Sequence, residues 1–179
     1  ALISTLRVWA ADTDIICMLS NVFAGYHIPR VWIRSETRAE LALFLELVNQ
    51  VEPRTLSHFF AEIDETDFTN YMLQLANNVQ SIDVVFGRII NLTPHFNITS
   101  IIKEIFNRKC TKLTISASFY SREPSIAISP ENVEHLLQFL HHTDNKLSIM
   151  VDYSYPTPFD VQIGTHKVRA IYNVARETQ

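Results

Sequence analysis

Only three glycines, Gly25, Gly87 and Gly164, stand in 179 residues, far from one another. A loop that cradles phosphate needs two or three glycines within a few residues, so that backbone N–H groups can close on the anion, and neither the dinucleotide-binding nor the P-loop spacing occurs. That scarcity weighs against a doubly wound nucleotide-binding sheet, the main alternative for interleaved strands and helices. Two cysteines, Cys17 and Cys110, have no second cysteine nearby and no histidine at ligand spacing. They read as buried, reduced thiols of a cytoplasmic or nuclear protein. The sequons Asn91-Leu92-Thr93 and Asn97-Ile98-Thr99 are the opposing sign, since either could carry a glycan in a secreted chain.

Long apolar runs are missing too. A membrane helix needs about 18 consecutive apolar residues, and even ELALFLELV is broken by glutamates. Positive charge is sparse: 15 Lys and Arg face 19 Asp and Glu, for a formal net charge of −4. Phosphate-rich partners demand clustered cations, so neither nucleic acid nor a membrane is expected as a partner. No nucleophile elbow, zinc-protease helix, paired-cysteine or EF-hand motif occurs; no catalytic residue, metal or cofactor is assigned.

What is present is ordinary globular material, 47% hydrophobic and 19% charged, enough for one domain over residues 1–179 with its own core. A strand-like run only a few residues after Ala1 points to a longer parent chain. In IPRVWIRSETRAELALFLELV, Ile28, Val31 and Ile33 follow an apolar-x-x-apolar-x-apolar pattern, which puts the last two on one face of a strand. Thr37 and Glu40 then form a capping box, and Leu41, Leu45 and Val48 continue at helical spacing. Strand and helix each have one apolar face, and neither can bury it alone.

The unit recurs. Its middle apolar residue falls at Leu6, Val31, Leu56, Ile82, Leu113, Leu147 and Val168, at intervals of 25, 25, 26, 31, 34 and 21 residues. Helix start signals lie between these anchors: Asp12, Asp64 with Thr66, Asn97 or Thr99, and Ser129 ahead of Pro130. One strand and one helix per unit at a near-constant period predict an α/β solenoid with a parallel sheet on its concave face. The βα units run to about residue 153. SYPTPFD then breaks the pattern, and FDVQI and VRAIYNV around Gly164–Lys167 predict a terminal β-hairpin cap over about 154–179.

This strand pattern, followed by a helix at 25 to 26 residues, resembles a degenerate cytosolic leucine-rich repeat over residues 2 to about 153. It departs from that family in lacking the usual Asn or Cys after each strand. Such divergent repeats are similar to the substrate-recognition part of some F-box proteins, and the resemblance implies a non-enzymatic adaptor role. No F-box segment is visible.

Candidates for chemistry are weak. Glu131, Glu134, His135, His141 and His142 share one predicted helix, where two histidines in the last turn suit the helix dipole better than they close a metal site. Asp64, Glu65 and Asp67 suit a helix start in the same way. His58 beside Phe59 and Phe60 reads as a partly buried histidine with one hydrogen bond.

The surface implied by the repeat is more informative. Residues one and three after each anchor point away from the helices, and in the first four units they are Arg7 and Trp9, Trp32 and Arg34, Ser57 and Phe59, and Asp83 and Val85. Both tryptophans of the chain fall there. Trp9, Trp32 and Phe59 are expected to line up across the sheet, flanked by Arg7 and Arg34; the predicted partner-binding set is Arg7, Trp9, Trp32, Arg34, Phe59, Asp83 and Val85. Large aromatic side chains and arginine dominate interface hot spots. The expected occupant is another protein, or a missing segment of the same chain. Two alternatives stand beside an interaction module: a structural subunit of a larger assembly, and an α/β enzyme with no recognisable motif.

Overall fold

The computed structural model describes residues 3–9, 13–35, 41–93, 96–119, 130–141, 143–153, 159–163 and 166–172. In chain order they form β1 (Thr5–Trp9), α1 (Thr13–Val22), β2 (Arg30–Ser35), α2 (Leu41–Val51), β3 (Thr55–Phe60), the two-residue β4 (Ile63–Asp64), α3 (Glu65–Ala76), β5 (Ser81–Ile90), α4 (Ile98–Phe106), β6 (Lys112–Phe119), α5 (Pro130–His141), β7 (Lys146–Tyr153), β8 (Phe159–Ile163) and β9 (His166–Tyr172). One sheet holds all nine strands in the order β1-β2-β3-β5-β6-β7-β9-β8, with β4 beside the end of β5. Every neighbouring pair is parallel except β8 with β9.

Strand order follows chain order as far as β7, without the reversal that makes the ligand crevice of a doubly wound sheet. Right-handed crossovers in a sheet of that kind bring each helix to the same face. The burial pattern agrees: β2 and β3 alternate strictly between buried and partly exposed residues, and successive helices from α1 to α5 touch one another. The result is a helix layer on one side and an open sheet face on the other.

The anchors read from the sequence are Cα partners across the sheet: Leu6, Val31, Leu56, Ile82, Leu113 and Leu147 lie in one row. Val168 departs from it. It pairs with Ile149, two residues beyond Leu147, because β7 reaches β9 through a hairpin and no helix sets the spacing. The hairpin is also tighter than predicted: His166 and Lys167 pair with Ile163 and Gln162 as part of β9.

Behind the anchors lies a second inward row, Val8, Ile33, His58, Val84, Ile115 and Ile149, all buried against the helices. Phe44, Leu47, Phe68, Met72, Leu75, Ile102 and Ile105 come down from α2, α3 and α4 to meet these rows. Burying one such side chain contributes about 1.5–3 kcal/mol, so the helix layer is held chiefly by this contact.

Helix starts are chemically marked. The Asp64 carboxylate accepts from the Asp67 N–H at 2.8 Å and caps α3, while Glu65 accepts from the Thr93 N–H and hydroxyl. The acidic cluster at 64–67 is therefore a helix N-terminus. Asn97 caps α4 by accepting from the Thr99 and Ser100 N–H groups. Pro130 opens α5 as its spacing predicts, whereas the Thr37–Glu40 capping box, Asp12 and Ser129 lie outside the described residues.

The turns that enter the strands are tied to one another. The Pro29 carbonyl accepts from Arg54 and Thr55, the Arg54 carbonyl from Ser81, the Gln80 carbonyl from Thr111 and Lys112, and the Thr111 carbonyl from Lys146. This rim has connections of three to seven residues, four between α3 and β5 and four between α5 and β7. The opposite rim absorbs the lengthening period: three residues separate β1 from α1, seven separate β5 from α4, and ten separate β6 from α5.

Candidate functional site: the open sheet face

Alternation along parallel strands puts three rows of side chains on the open face. The first is Thr5, Arg30, Thr55, Ser81, Lys112 and Lys146; the second is Arg7, Trp32, Ser57, Asp83, Thr114 and Ser148; the third is Trp9, Arg34, Phe59, Val85 and Ser116. All seven residues singled out from the sequence fall in the second and third rows, spread over β1, β2, β3 and β5.

The aromatic residues do not form the single line expected. Trp32 shares its row with Arg7 and Ser57, while Trp9, Arg34 and Phe59 share the next. Arg34 therefore sits between two rings: its guanidinium carbon is 5.1 Å from the centroid of Trp9 and 5.1 Å from that of Phe59. Such stacking uses the weakly hydrated faces of the guanidinium and holds the rings upright. Trp32 closes on Trp9 from the second row, with centroids 5.5 Å apart and planes at 54°.

Trp9 stays 62% exposed and Val85 38%, whereas Trp32, Arg34 and Phe59 are half-buried by one another. A strand-edge tryptophan left this open keeps a large apolar area in water. Asp83 is the carboxylate of these rows. Partial burial raises its pKa above the ordinary value, and the charge of Lys112 across the strand works in the other direction.

The basic members of the first row were overlooked by the sequence reading, which counted only positions after each anchor. Arg30, Lys112 and Lys146 each stand immediately before one, at Val31, Leu113 and Leu147, and two-residue alternation places them on the same face as Arg7 and Trp32.

On the covered side, His58 is only 2% exposed and occupies an otherwise aliphatic row. One ring nitrogen, Nε2, meets Ser35 Oγ at 2.9 Å, and the other, Nδ1, meets the Tyr71 hydroxyl. Phe60 stacks on the imidazole at 3.7 Å between centroids, and Phe44 and Tyr71 contact it edge-on. This replaces the expected partly buried ring with one hydrogen bond. A neutral imidazole has one donor and one acceptor, and two hydroxyls satisfy both whichever tautomer is present. Burial holds the His58 pKa well below 6.5 and that of Tyr71 well above 10.0. Ser35 and Tyr71 are each 1% exposed, and the trio reads as a satisfied polar plug in the core.

Other positions offer less chemistry. A groove of about 600 Å³ lies between α2 and α3, lined by Leu45, Glu46, Asn49, Asp67, Tyr71 and Gln74, on the side of the sheet away from the tryptophans. Glu134 and His135 are exposed, and among the described residues no three His, Cys, Asp or Glu side chains come together as a metal site. Cys110 is buried, with its thiol pushed up to about 11 by desolvation; Cys17, expected to be buried, is exposed on α1. Its helix is short and amphipathic, so an inward stripe of Ile16 and Ser20 leaves position 17 facing out. No helix among the described residues is long and apolar enough to cross a membrane. Compared with models of known families, with curated proteins and with solved structures, the chain has no significant match.

Proposed function

We propose that the chain is a non-enzymatic protein-interaction module that docks a partner on its open sheet face, in the manner of an adaptor or substrate-recognition part. The observation that supports this most directly is the Trp9–Arg34–Phe59 stack with Trp32 beside it, a preorganised aromatic and arginine cluster on a face that no helix among the described residues covers. Rings held in place before binding lose little rotamer freedom on contact, which is what a hot spot requires. The constant register of the anchors supports reading the βα units as a leucine-rich-repeat-like solenoid, and two free cysteines fit a cytoplasmic or nuclear setting.

Affinity recovery of co-purifying proteins with the intact protein and with a folded Trp9→Ala/Trp32→Ala variant tests this. A partner retained by the first and lost by the second is the expected result. Trp32→Ala alone should weaken capture far more than Ser116→Ala; equal effects would remove the support for this face. A second reading, a structural subunit, draws on Ile15, Met18 and Val22, which leave an exposed apolar stripe along α1. Mass measured against concentration separates the two, because an obligate subunit self-associates or aggregates where an interaction module stays monomeric.

A further inference from the structure

Charge is segregated onto the open face in a way that the net value hides. The whole chain has 15 basic and 19 acidic side chains, yet the three open-face rows hold five basic residues, Arg7, Arg30, Arg34, Lys112 and Lys146, against the one acidic residue Asp83. Removing those six leaves the remainder of the molecule markedly acidic, so an anionic partner is repelled elsewhere and attracted here. The rows also differ in character. The first, at the strands' N-terminal ends, mixes Thr and Ser with Arg30, Lys112 and Lys146; the third, four residues further along each strand, is Trp9, Arg34, Phe59 and Val85, followed by Ser116 on β6. Four residues of strand span about 13 Å, so a basic margin and an apolar margin run side by side across the sheet at roughly the width of one peptide segment with its side chains.

We propose that the partner segment is acidic along one side and apolar along the other, and lies across the strands. Its carboxylates face Arg7, Arg30, Lys112 and Lys146, and its apolar side chains cover Trp9, Phe59 and Val85. This rests on the open face being the docking surface. Asp83 sits midway and disfavours a carboxylate at the centre of β5, so the segment's acidic positions flank it, toward Arg7 and Arg30 on one side and Lys112 and Lys146 on the other. Arg34, already held between two rings, keeps those rings apart and presents a flat apolar and cationic floor.

The test uses fluorescence anisotropy with three labelled probes: a synthetic peptide of alternating glutamate and leucine, the same peptide with lysine for glutamate, and a single-stranded oligothymidylate. The glutamate peptide should bind, more weakly as salt rises, and at least about tenfold more tightly than the lysine peptide. Arg30→Glu/Lys146→Glu, both at exposed positions, should weaken it by about tenfold or more and improve binding of the lysine peptide. Equal binding of the two peptides, no binding of either, or indifference to the charge reversal would overturn the assignment. Tighter binding of the oligothymidylate, competing at the same face, would overturn it in favour of a nucleic-acid surface. If these fail while Trp32→Ala still abolishes capture of the native partner, only the acidic assignment falls; if Trp32→Ala leaves capture intact, the docking face itself is wrong.

Discussion

His58 is a position where one polar side chain interrupts an aliphatic row and is fully satisfied by its neighbours. Tyr71→Phe removes one of its two partners and leaves a buried ring nitrogen without a hydrogen bond, a loss of about 1–3 kcal/mol that a urea titration would measure. The pH dependence follows from the same burial. The folded-state pKa lies well below the ordinary 6.5, so below that pH the unfolded chain takes up a proton that the folded chain refuses. Stability should thus be complete above pH 6.5 and decline as pH falls from there toward the folded-state pKa. Denaturation midpoints of His58→Gln, measured over the same range, should show a flatter profile. The inward direction of His58 was legible from its alternation with Ser57 and Phe59. Its two hydroxyl partners were not, because Ser35 and Tyr71 come from a different strand and a helix and meet it only after packing.

Gly87 lies where β5 passes closest to the chain leaving β3. A Cβ at this position would stand 2.6 Å from the Ala61 carbonyl oxygen, so the strand can pass β3's exit only with no side chain there. Across the same stretch the pairing of β5 with β6 shifts by one, between Phe86 and Ile89. Gly87→Ala should cost roughly 1–3 kcal/mol by forcing backbone apart, read as a lower midpoint in thermal or chemical unfolding. Asp64→Ala removes the α3 cap and should cost about 1 kcal/mol in the same assay. Strands, helices and most caps were readable from local signals, since alternation, helical spacing and capping chemistry act within a few residues. The two-residue β4 and the shift in β5 were not, because both arise where a neighbouring strand leaves the sheet.

Sequential order makes the sheet a stack in which each strand is protected by those on either side. Amides of β3, β5 and β6, interior strands packed under α2, α3 and α4, should exchange with solvent only on global unfolding, and those of β1 sooner, which hydrogen exchange read strand by strand would show. The order itself was legible, because a near-constant interval between anchors leaves room for one helix and no more. The grouping of charge was legible only in part, since it needed the register that puts Arg30, Lys112 and Lys146 in line. The two rims, finally, differ in what they permit. On one, carbonyl-to-amide ties join each turn to the next, so a foreign loop spliced between Asn77 and Gln80 would pull several strands out of step. On the other, the spacing from strand to helix already varies between three and ten residues while the anchors stay in line, so a change of length there leaves the strands in step.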